Sequence, residues 1–345
     1  MKKTIITFIK YTLPLIFAFL LVRYLLTKVS MDDIVATFKK ADYRWFLLSS
    51  FFAIIAHWSR GYRWKLLLQP LGHNPKTQNG FLAVMIGYFA NFALPRIGEV
   101  ARCGVLRTTD NVPMEAGVGT VVAERVFDLI MLLLVTAFTF FLEFDKVNNF
   151  FINRLFKDKV SGFQSLIFKP YLLVAIAAIF IILFLIFYFL RHKLFALPFV
   201  IKTGNFIKGI WKGVLSVAKL EKKGAFIVST LLIWAMYYLS TYVLLFALPQ
   251  TAELGWRAAF VIFIVGTFAM AAPVQGGFGT FHALVGEALV FYGLSERDGI
   301  VLATFMHTSQ VILLFSVGII CTTIYGIILL KQNQKAKALI VAETK

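Results

Sequence analysis

The sequence contains little of what soluble enzymes and secreted domains are built from. Only two of its 345 residues are cysteine, and Cys103 and Cys321 lie far apart, so they form neither a disulfide framework nor a metal-binding spacing. Charged residues make up 15% of the chain, against about a quarter in soluble domains. No phosphate-binding loop with its lysine stands out, nor does a nucleophile with an adjacent base. We therefore expect no enzyme, no metal centre and no cofactor.

The low share of charged residues is matched by a high share of apolar ones. They account for 59% of the chain, and the mean hydropathy is +0.80. Runs such as residues 171–190 continue for about 20 residues without a charge, enough to cross a hydrocarbon layer about 30 Å thick. These runs are continuous rather than alternating, which argues against a transmembrane barrel. The composition predicts an all-α polytopic membrane protein, because helices satisfy their own backbone hydrogen bonds in lipid.

The apolar segments predict where the chain meets the membrane. They cover about residues 5–27, 45–68, 78–94, 117–142, 170–190, 225–249, 257–273 and 300–330. The first resembles a signal peptide but lacks a small-residue cleavage site, so we expect it to be retained. Proline and glycine interrupt the stretches 78–108 and 257–293, which predicts two re-entrant hairpins. The expected architecture is about six full transmembrane helices plus these two hairpins.

The net charge of +18 is better explained by membrane topology than by a nucleic-acid partner. Lys and Arg lie beside apolar spans, and cytoplasmic loops carry an excess of them. If both hairpins return to the side from which they enter, and open to opposite faces, roughly twice as many basic residues lie inside as outside. We therefore expect a multi-pass plasma-membrane protein whose two termini and basic 191–224 loop are cytoplasmic.

The chain is expected to form a single integral membrane domain over residues 1–345. The two interrupted stretches resemble each other, since in each a proline ends an apolar arm and a glycine follows three residues later. Paired interruptions of this kind are typical of inverted repeats with a substrate site near the bilayer midplane. Such a repeat would relate residues 1–142 to residues 170–330. Because Gly and Pro are common in membrane helices, a chance resemblance stays equally open.

Charged residues cluster at the first interruption and at the start of the span that follows it. They are Arg96, Glu99, Arg102, Glu124, Arg125 and Asp128. Charges within a span usually pair with one another or line a wet cavity. Two interpretations are open. The cluster is an internal set of salt bridges, or it keeps those pairs and leaves Arg96 or Arg102 to bind a phosphate through its planar guanidinium.

The glycine-rich loop of the second interruption is the other candidate site. Its glycines are Gly276, Gly277 and Gly279. Glycine lets the backbone approach a ligand or another helix closely. His282, Glu287 and His307 are the nearby titratable groups, and for each a hydrogen-bonded packing role is favoured over a proton relay. Residues 57–64, HWSRGYRW, are interpreted as an interfacial aromatic and basic anchor.

Three of these segments, in this order, resemble the signatures of a known family. LPRIGEVAR at 94–102, VVAERVFDL at 121–129 and PVQGGFGTFHALV at 273–285 look like motifs of the lysylphosphatidylglycerol synthase transmembrane-region family. This is the flippase-like membrane domain found in the bacterial multiple peptide resistance factor. The resemblance covers nearly the whole chain. It implies a stand-alone member without the soluble synthase domain, and a role in moving aminoacylated phospholipid between leaflets.

Two functions from different classes follow. The first is a lipid flippase-like transporter, in which the two clusters bind a phospholipid or aminoacyl-phospholipid head group between the hairpins. The alternative is a non-transporting membrane subunit that scaffolds a partner enzyme, such as a synthase, or a partner transporter. A third, less favoured, is an intramembrane enzyme acting on a lipid carrier. Phospholipid and membrane are the expected partners, and a homo-oligomer is also open.

Overall fold

The computed structural model of the protein describes residues 21, 23–24, 27–93, 97–144, 146, 220–272 and 274–343, with side chains as far as residue 334. Within these ranges all regular structure is helical and no strand occurs. The predicted all-α class is therefore confirmed. The predicted span 170–190 and most of the predicted span 5–27 and of the 191–224 loop lie outside the described residues, so the number of full spans stays a prediction.

Apart from α1, the long helices lie in the apolar or interrupted stretches that the sequence predicts. The described helices of ten residues or more are α1 (Met31–Lys40), α2 (Tyr43–Leu68), α3 (Thr77–Ala93), α4 (Ile97–Asp110), α5 (Met114–Leu142), α6 (Lys223–Leu244), α7 (Gly255–Ala271), α8 (Thr280–Phe291) and α9 (Glu296–Glu343). In the described part of the chain, three stretches are long and apolar enough to cross a membrane: Met114–Leu142, Lys223–Ala247 and Glu296–Gln334. The chain is thus a helical membrane protein.

Helix α1 was not among the predicted spans, and it is amphipathic. Ser30 caps its start: the Ser30 hydroxyl accepts a hydrogen bond from the Asp33 backbone N–H at 3.2 Å, and the Asp33 carboxylate accepts one from the Ser30 backbone N–H at 3.2 Å. Asp33 also accepts a hydrogen bond from Arg297 Nε at 2.8 Å. This ion pair ties α1 to the start of α9.

The chain divides into two compact units, residues 1–139 together with 217–345, and residues 140–216. All the described helices except the end of α5 belong to the first unit. The hairpins, the charged cluster and the cavity described below all lie within it.

Both predicted interruptions fold as helical hairpins, α3 with α4 and α7 with α8. In the first, a Cβ on Gly98 would lie 1.9 Å from the carbonyl oxygen of Gly87, so the arms can approach this closely only because Gly98 has no side chain. In the second, a Cβ on Gly266 would lie 3.0 Å from the ring of Phe281. In each hairpin, therefore, the second arm turns back and packs along the first.

The two hairpins approach α9 from its opposite ends. In order along α9, the contacts are Gly299 with Gly286, His307 with Gly276, Phe315 with Phe92, and Tyr325 with Thr108. The first two contacts involve the middle of α8 and then the tip of the α7–α8 hairpin. The last two involve the tip and then the base of the α3–α4 hairpin. These contacts span about 40 Å at 1.5 Å per residue, and the hairpins meet tip to tip near the middle.

The Gln275 side chain joins the two tips. Its amide nitrogen donates to the carbonyl oxygens of Phe92 and Ala93, the latter at 2.9 Å. These carbonyls lie at the C-terminus of α3, where the helical hydrogen bonds end and the backbone needs other partners. The adjoining loop glycines all have left-handed backbones, which other residues adopt only with strain. Their φ angles are +58° at Gly276, +71° at Gly277 and +82° at Gly279.

Candidate functional site

Five charged side chains form a buried ion cluster where α2, α4 and α5 meet. They are Arg60 and Arg63 of α2, Arg102 of α4, and Glu124 and Asp128 of α5. Glu124 accepts from Arg60 Nε at 2.6 Å and from Arg102 at 2.8 Å. Asp128 accepts from Arg63 at 2.6 Å and also from Arg60. The Arg63 side chain is 0% exposed and that of Glu124 is 1% exposed, so the cluster is shielded from solvent.

The cluster carries an excess of positive charge. Three guanidinium groups face two carboxylates, a formal net charge of +1. A buried charge is tolerated when it is paired and hydrogen-bonded, and each carboxylate here contacts at least two arginines. Within the described residues, the Nε groups of Arg63 and Arg102 have no hydrogen-bond acceptor. The cluster therefore has more donors than its carboxylates satisfy.

The structure brings together five of the six residues of the first predicted group. Arg102, Glu124 and Asp128 lie in the ion cluster, where they form the salt bridges of the first interpretation. Glu99 and Arg125 form an ion pair with an Nε–Oε1 distance of 3.1 Å, and each side chain is about two fifths exposed. Arg125 also lies 3.9 Å from an Asp128 carboxylate oxygen, so this pair adjoins the cluster at its exposed edge. Arg96 lies outside the described residues, so no contact is assigned to it.

The interpretation of residues 57–64 as an interfacial anchor was wrong. Arg60 and Arg63 are buried in the protein, and together with Trp64 they form part of its interior. The sequence did contain the relevant signal, since His57, Arg60 and Trp64 recur at spacings of three and four residues and so share one face of a helix. A polar stripe with this spacing inside an otherwise apolar helix indicates a buried polar face.

The second predicted group lies apart from the cluster, on the α7–α8 hairpin and, at His307, on α9. His282 Nδ1 accepts from the backbone N–H of Gly279 at 3.3 Å and so caps the start of α8. His307 Nε2 donates to the Gly276 carbonyl at 2.8 Å. Both histidines thus make the packing hydrogen bonds that were favoured for them. Glu287 lies on an exposed side of α8.

Two tyrosines and a histidine connect the ion cluster to a cavity. Arg60 donates to the Tyr88 hydroxyl and, at 3.4 Å, to the Tyr237 hydroxyl. The Tyr237 hydroxyl lies 3.2 Å from His57 Nδ1, and the His57 and Tyr88 rings lie 5.0 Å apart. All three of these side chains line the cavity. One wall of the cavity is therefore a neutral polar layer that is hydrogen-bonded to the cluster.

The cavity has a volume of about 280 Å³ and is lined mainly by α2, α6, α7 and α9. Much of its wall is apolar, as at Phe263, Phe281 and Met306. The remaining polar lining consists of hydroxyl and amide groups, from Ser49, Ser50, Ser240, Thr241, Thr267, Ser309 and Gln310. A largely apolar wall with a few convergent polar groups is typical of small-molecule sites. None of these cavity residues was singled out from the sequence, because isolated Ser and Thr are common in apolar helices.

Comparison with known proteins agrees with this architecture. The chain is similar to the UPF0104 membrane protein MJ1595 of Methanocaldococcus jannaschii, with 27% identity over 201 residues, 57% of this chain and 54% of that protein. It is also similar to the glycosyltransferase AglD of Haloferax volcanii, with 36% identity over 74 residues, 21% of this chain and 12% of that protein. The matched part of the chain thus spans about half of the first relative and much less of the second.

No solved structure matches the chain at a significant level. The family model described as the lysylphosphatidylglycerol synthase TM region matches residues 11–318. This range includes the two hairpins, the ion cluster and all of the described cavity lining. The chain therefore belongs to the lysylphosphatidylglycerol synthase TM region family.

Proposed function

We propose that the protein is a flippase-like transporter of the plasma membrane that moves a phospholipid head group between leaflets. The observation that carries this proposal is the cavity wall formed by Tyr88 and Tyr237, whose hydroxyls accept hydrogen bonds from Arg60 of the net-positive cluster. The phosphate of a lipid is anionic, so a polar wall backed by excess positive charge favours it. The acyl chains would remain in the bilayer.

The tip-to-tip hairpins provide a mechanism for this movement. They approach from opposite ends of α9, and Gln275 joins their tips through two hydrogen bonds. Met270 of α7 and Phe281 of α8 line the cavity, so a shift of this hairpin changes the cavity wall. Opening the cavity toward one leaflet at a time is what alternating access requires. In this proposal both termini and the 191–224 loop are cytoplasmic.

The ion pairing of the two carboxylates in the cluster behind the tyrosine wall favours transport over catalysis. Glu124 and Asp128 are each held by at least two arginines, so neither is poised to act as an acid or base. In this proposal, any aminoacylated lipid that the protein meets is made by a partner synthase.

The proposal is tested by reconstituting the full chain in liposomes that contain fluorescently labelled phosphatidylglycerol. Dithionite added outside bleaches only the outer-leaflet label, so lipid movement appears as a continuing loss of fluorescence beyond that of protein-free vesicles. Tyr88→Phe removes a hydroxyl from the cavity wall and should slow this loss. Tyr325→Phe is the matched control, because its hydroxyl contacts Thr108 at the base of the α3–α4 hairpin and neither residue lines the cavity.

Transport would be contradicted if the fluorescence loss equals that of protein-free vesicles. This comparison is made both with and without an imposed ion gradient or membrane potential. The non-transporting subunit would then be the better description.

A further inference from the structure

Most of the hydroxyl groups that line the cavity already donate their one hydrogen bond to another group of the protein. Thr241, Thr267 and Ser309 each donate to a carbonyl one turn earlier in their own helix, at 3.2, 2.7 and 2.8 Å. A hydroxyl has one proton and two lone pairs. Each of these oxygens can therefore only accept a further hydrogen bond.

A pair of serines between α2 and α6 behaves in the same way. The Ser49 hydroxyl donates to the Ser240 carbonyl at 2.8 Å, and the two hydroxyl oxygens lie 2.9 Å apart. Because the Ser49 proton is used on the carbonyl, the proton between the two hydroxyls comes from Ser240. The cavity thus presents hydrogen-bond acceptors from α2, α6, α7 and α9, and a ligand that satisfies them must bring donors.

Hydroxyl groups and ammonium groups are the donors that lipid head groups offer. A buried charge is usually paired with an opposite charge, and the described residues lining the cavity include no Asp or Glu. The charged side chain bonded to the cavity wall is Arg60, which belongs to a cluster with net positive charge. A cation in the cavity would be repelled, whereas an uncharged hydroxyl would not.

We propose that the cavity binds the uncharged polyhydroxyl part of a lipid head group and discriminates against aminoacylated lipid. Two sources share this chemistry, the glycerol of phosphatidylglycerol and the sugar of a glycolipid. The inference rests on the proposed transport function and specifies its substrate class. Gln310 adds an amide that both donates and accepts, so a ligand with several hydroxyls can be satisfied from more than one side.

Native mass spectrometry tests this inference. The purified full chain is incubated with equal amounts of competing lipids, and the lipids that it retains are measured. Phosphatidylpropanol matches phosphatidylglycerol in charge and size but has no head-group hydroxyl. We expect phosphatidylglycerol to be retained about tenfold better, the effect of one or two hydrogen bonds, and lysyl-phosphatidylglycerol to be retained less than phosphatidylglycerol. A monoglucosyl diacylglycerol arm distinguishes sugar from glycerol as the source of the hydroxyls.

Variants of cavity residues test whether the preference for phosphatidylglycerol over phosphatidylpropanol arises in the cavity. Thr267→Val and Ser309→Ala each remove an acceptor oxygen, and together they should reduce retention of phosphatidylglycerol to that of phosphatidylpropanol. Thr304→Val is the matched control, because Thr304 makes the same kind of bond, to the Ile300 carbonyl at 2.7 Å, and does not line the cavity. An unchanged preference in the double variant would overturn the inference.

Equal retention of phosphatidylglycerol and phosphatidylpropanol by the wild type, or stronger retention of lysyl-phosphatidylglycerol, would also overturn the inference.

The liposome assay distinguishes a failure of this inference from a failure of the proposed transport function. If phosphatidylglycerol and phosphatidylpropanol move between leaflets at the same rate, the polyhydroxyl inference is contradicted and the transport proposal is not. Selective retention without movement would contradict transport and leave the binding inference standing.

Discussion

Arg60 and Glu124 lie 64 positions apart in the chain, yet the Arg60 Nε and a Glu124 carboxylate oxygen meet at 2.6 Å in the protein interior. The same carboxylate group also accepts from Arg102 of α4 and from Arg63 of α2. One side chain of α5 therefore holds three helices together. Its removal would leave three buried guanidinium groups with only Asp128 to share between them.

Glu124→Gln is expected to destabilise the protein severely, because it keeps the shape of the side chain and removes the charge. Breaking a buried pair in this way costs on the order of 3–5 kcal/mol. Arg125→Gln is the matched control: it breaks the partly exposed pair with Glu99 and the long 3.9 Å contact with Asp128, and should cost about 1 kcal/mol or less. Thermal unfolding in detergent, followed by tryptophan fluorescence, measures both. Equal melting temperatures for the two variants would contradict a central role for Glu124.

The positions of the helices could be predicted because long apolar runs and proline–glycine breaks are local signals. The partners of Glu124 could not, because pairing across 64 residues depends on how helices pack. Arg60 and Arg63 were misassigned because arginine near tryptophan is usual at a membrane interface. The cavity was missed because Ser and Thr that bond to their own helix look like ordinary helix residues until neighbouring helices place them around one space.

Gly98→Ala should prevent the α3–α4 hairpin from closing. The added Cβ would lie 1.9 Å from the Gly87 carbonyl oxygen, so the two arms would have to separate along their length. Gly104→Ala on the same helix is the control, because a Cβ there meets nothing within 4 Å, and alanine favours a helix over glycine by about 1 kcal/mol. Size-exclusion profiles and melting temperatures should show a large loss for the first variant and none for the second. Two equally stable variants would contradict the packing of this hairpin.

Gln275→Leu should loosen the contact between the hairpin tips. It removes the amide donor from the carbonyls of Phe92 and Ala93, at a cost of about 0.5–1.5 kcal/mol for each hydrogen bond. Hydrogen–deuterium exchange should therefore rise in the segment around residues 270–280. Exchange in α2 serves as the internal control and should not change. If exchange at the tip stays at the wild-type level, the Gln275 hydrogen bonds do not hold the hairpins together.

The attachment of α1 to α9 should weaken at low pH. The hydrogen bond from Arg297, with further bonds from Ser30, lowers the pKa of Asp33 to about 2, from about 4 in an unfolded chain. A lowered pKa means that the folded state favours the carboxylate form. The stabilisation is therefore fully present above about pH 4 and is lost as the pH falls toward 2.

A spin label on a cysteine that replaces Lys39 in α1 measures this attachment, since Cys103 and Cys321 are buried. Its mobility should increase as the pH is lowered through this window. Asp33→Asn should make the label mobile already at neutral pH and remove most of the dependence. Asp32→Asn changes the neighbouring carboxylate, which is not among the described hydrogen-bond or ion-pair partners of Arg297, and should leave the dependence in place. A pH response that survives in Asp33→Asn would mean that another group holds α1 to α9.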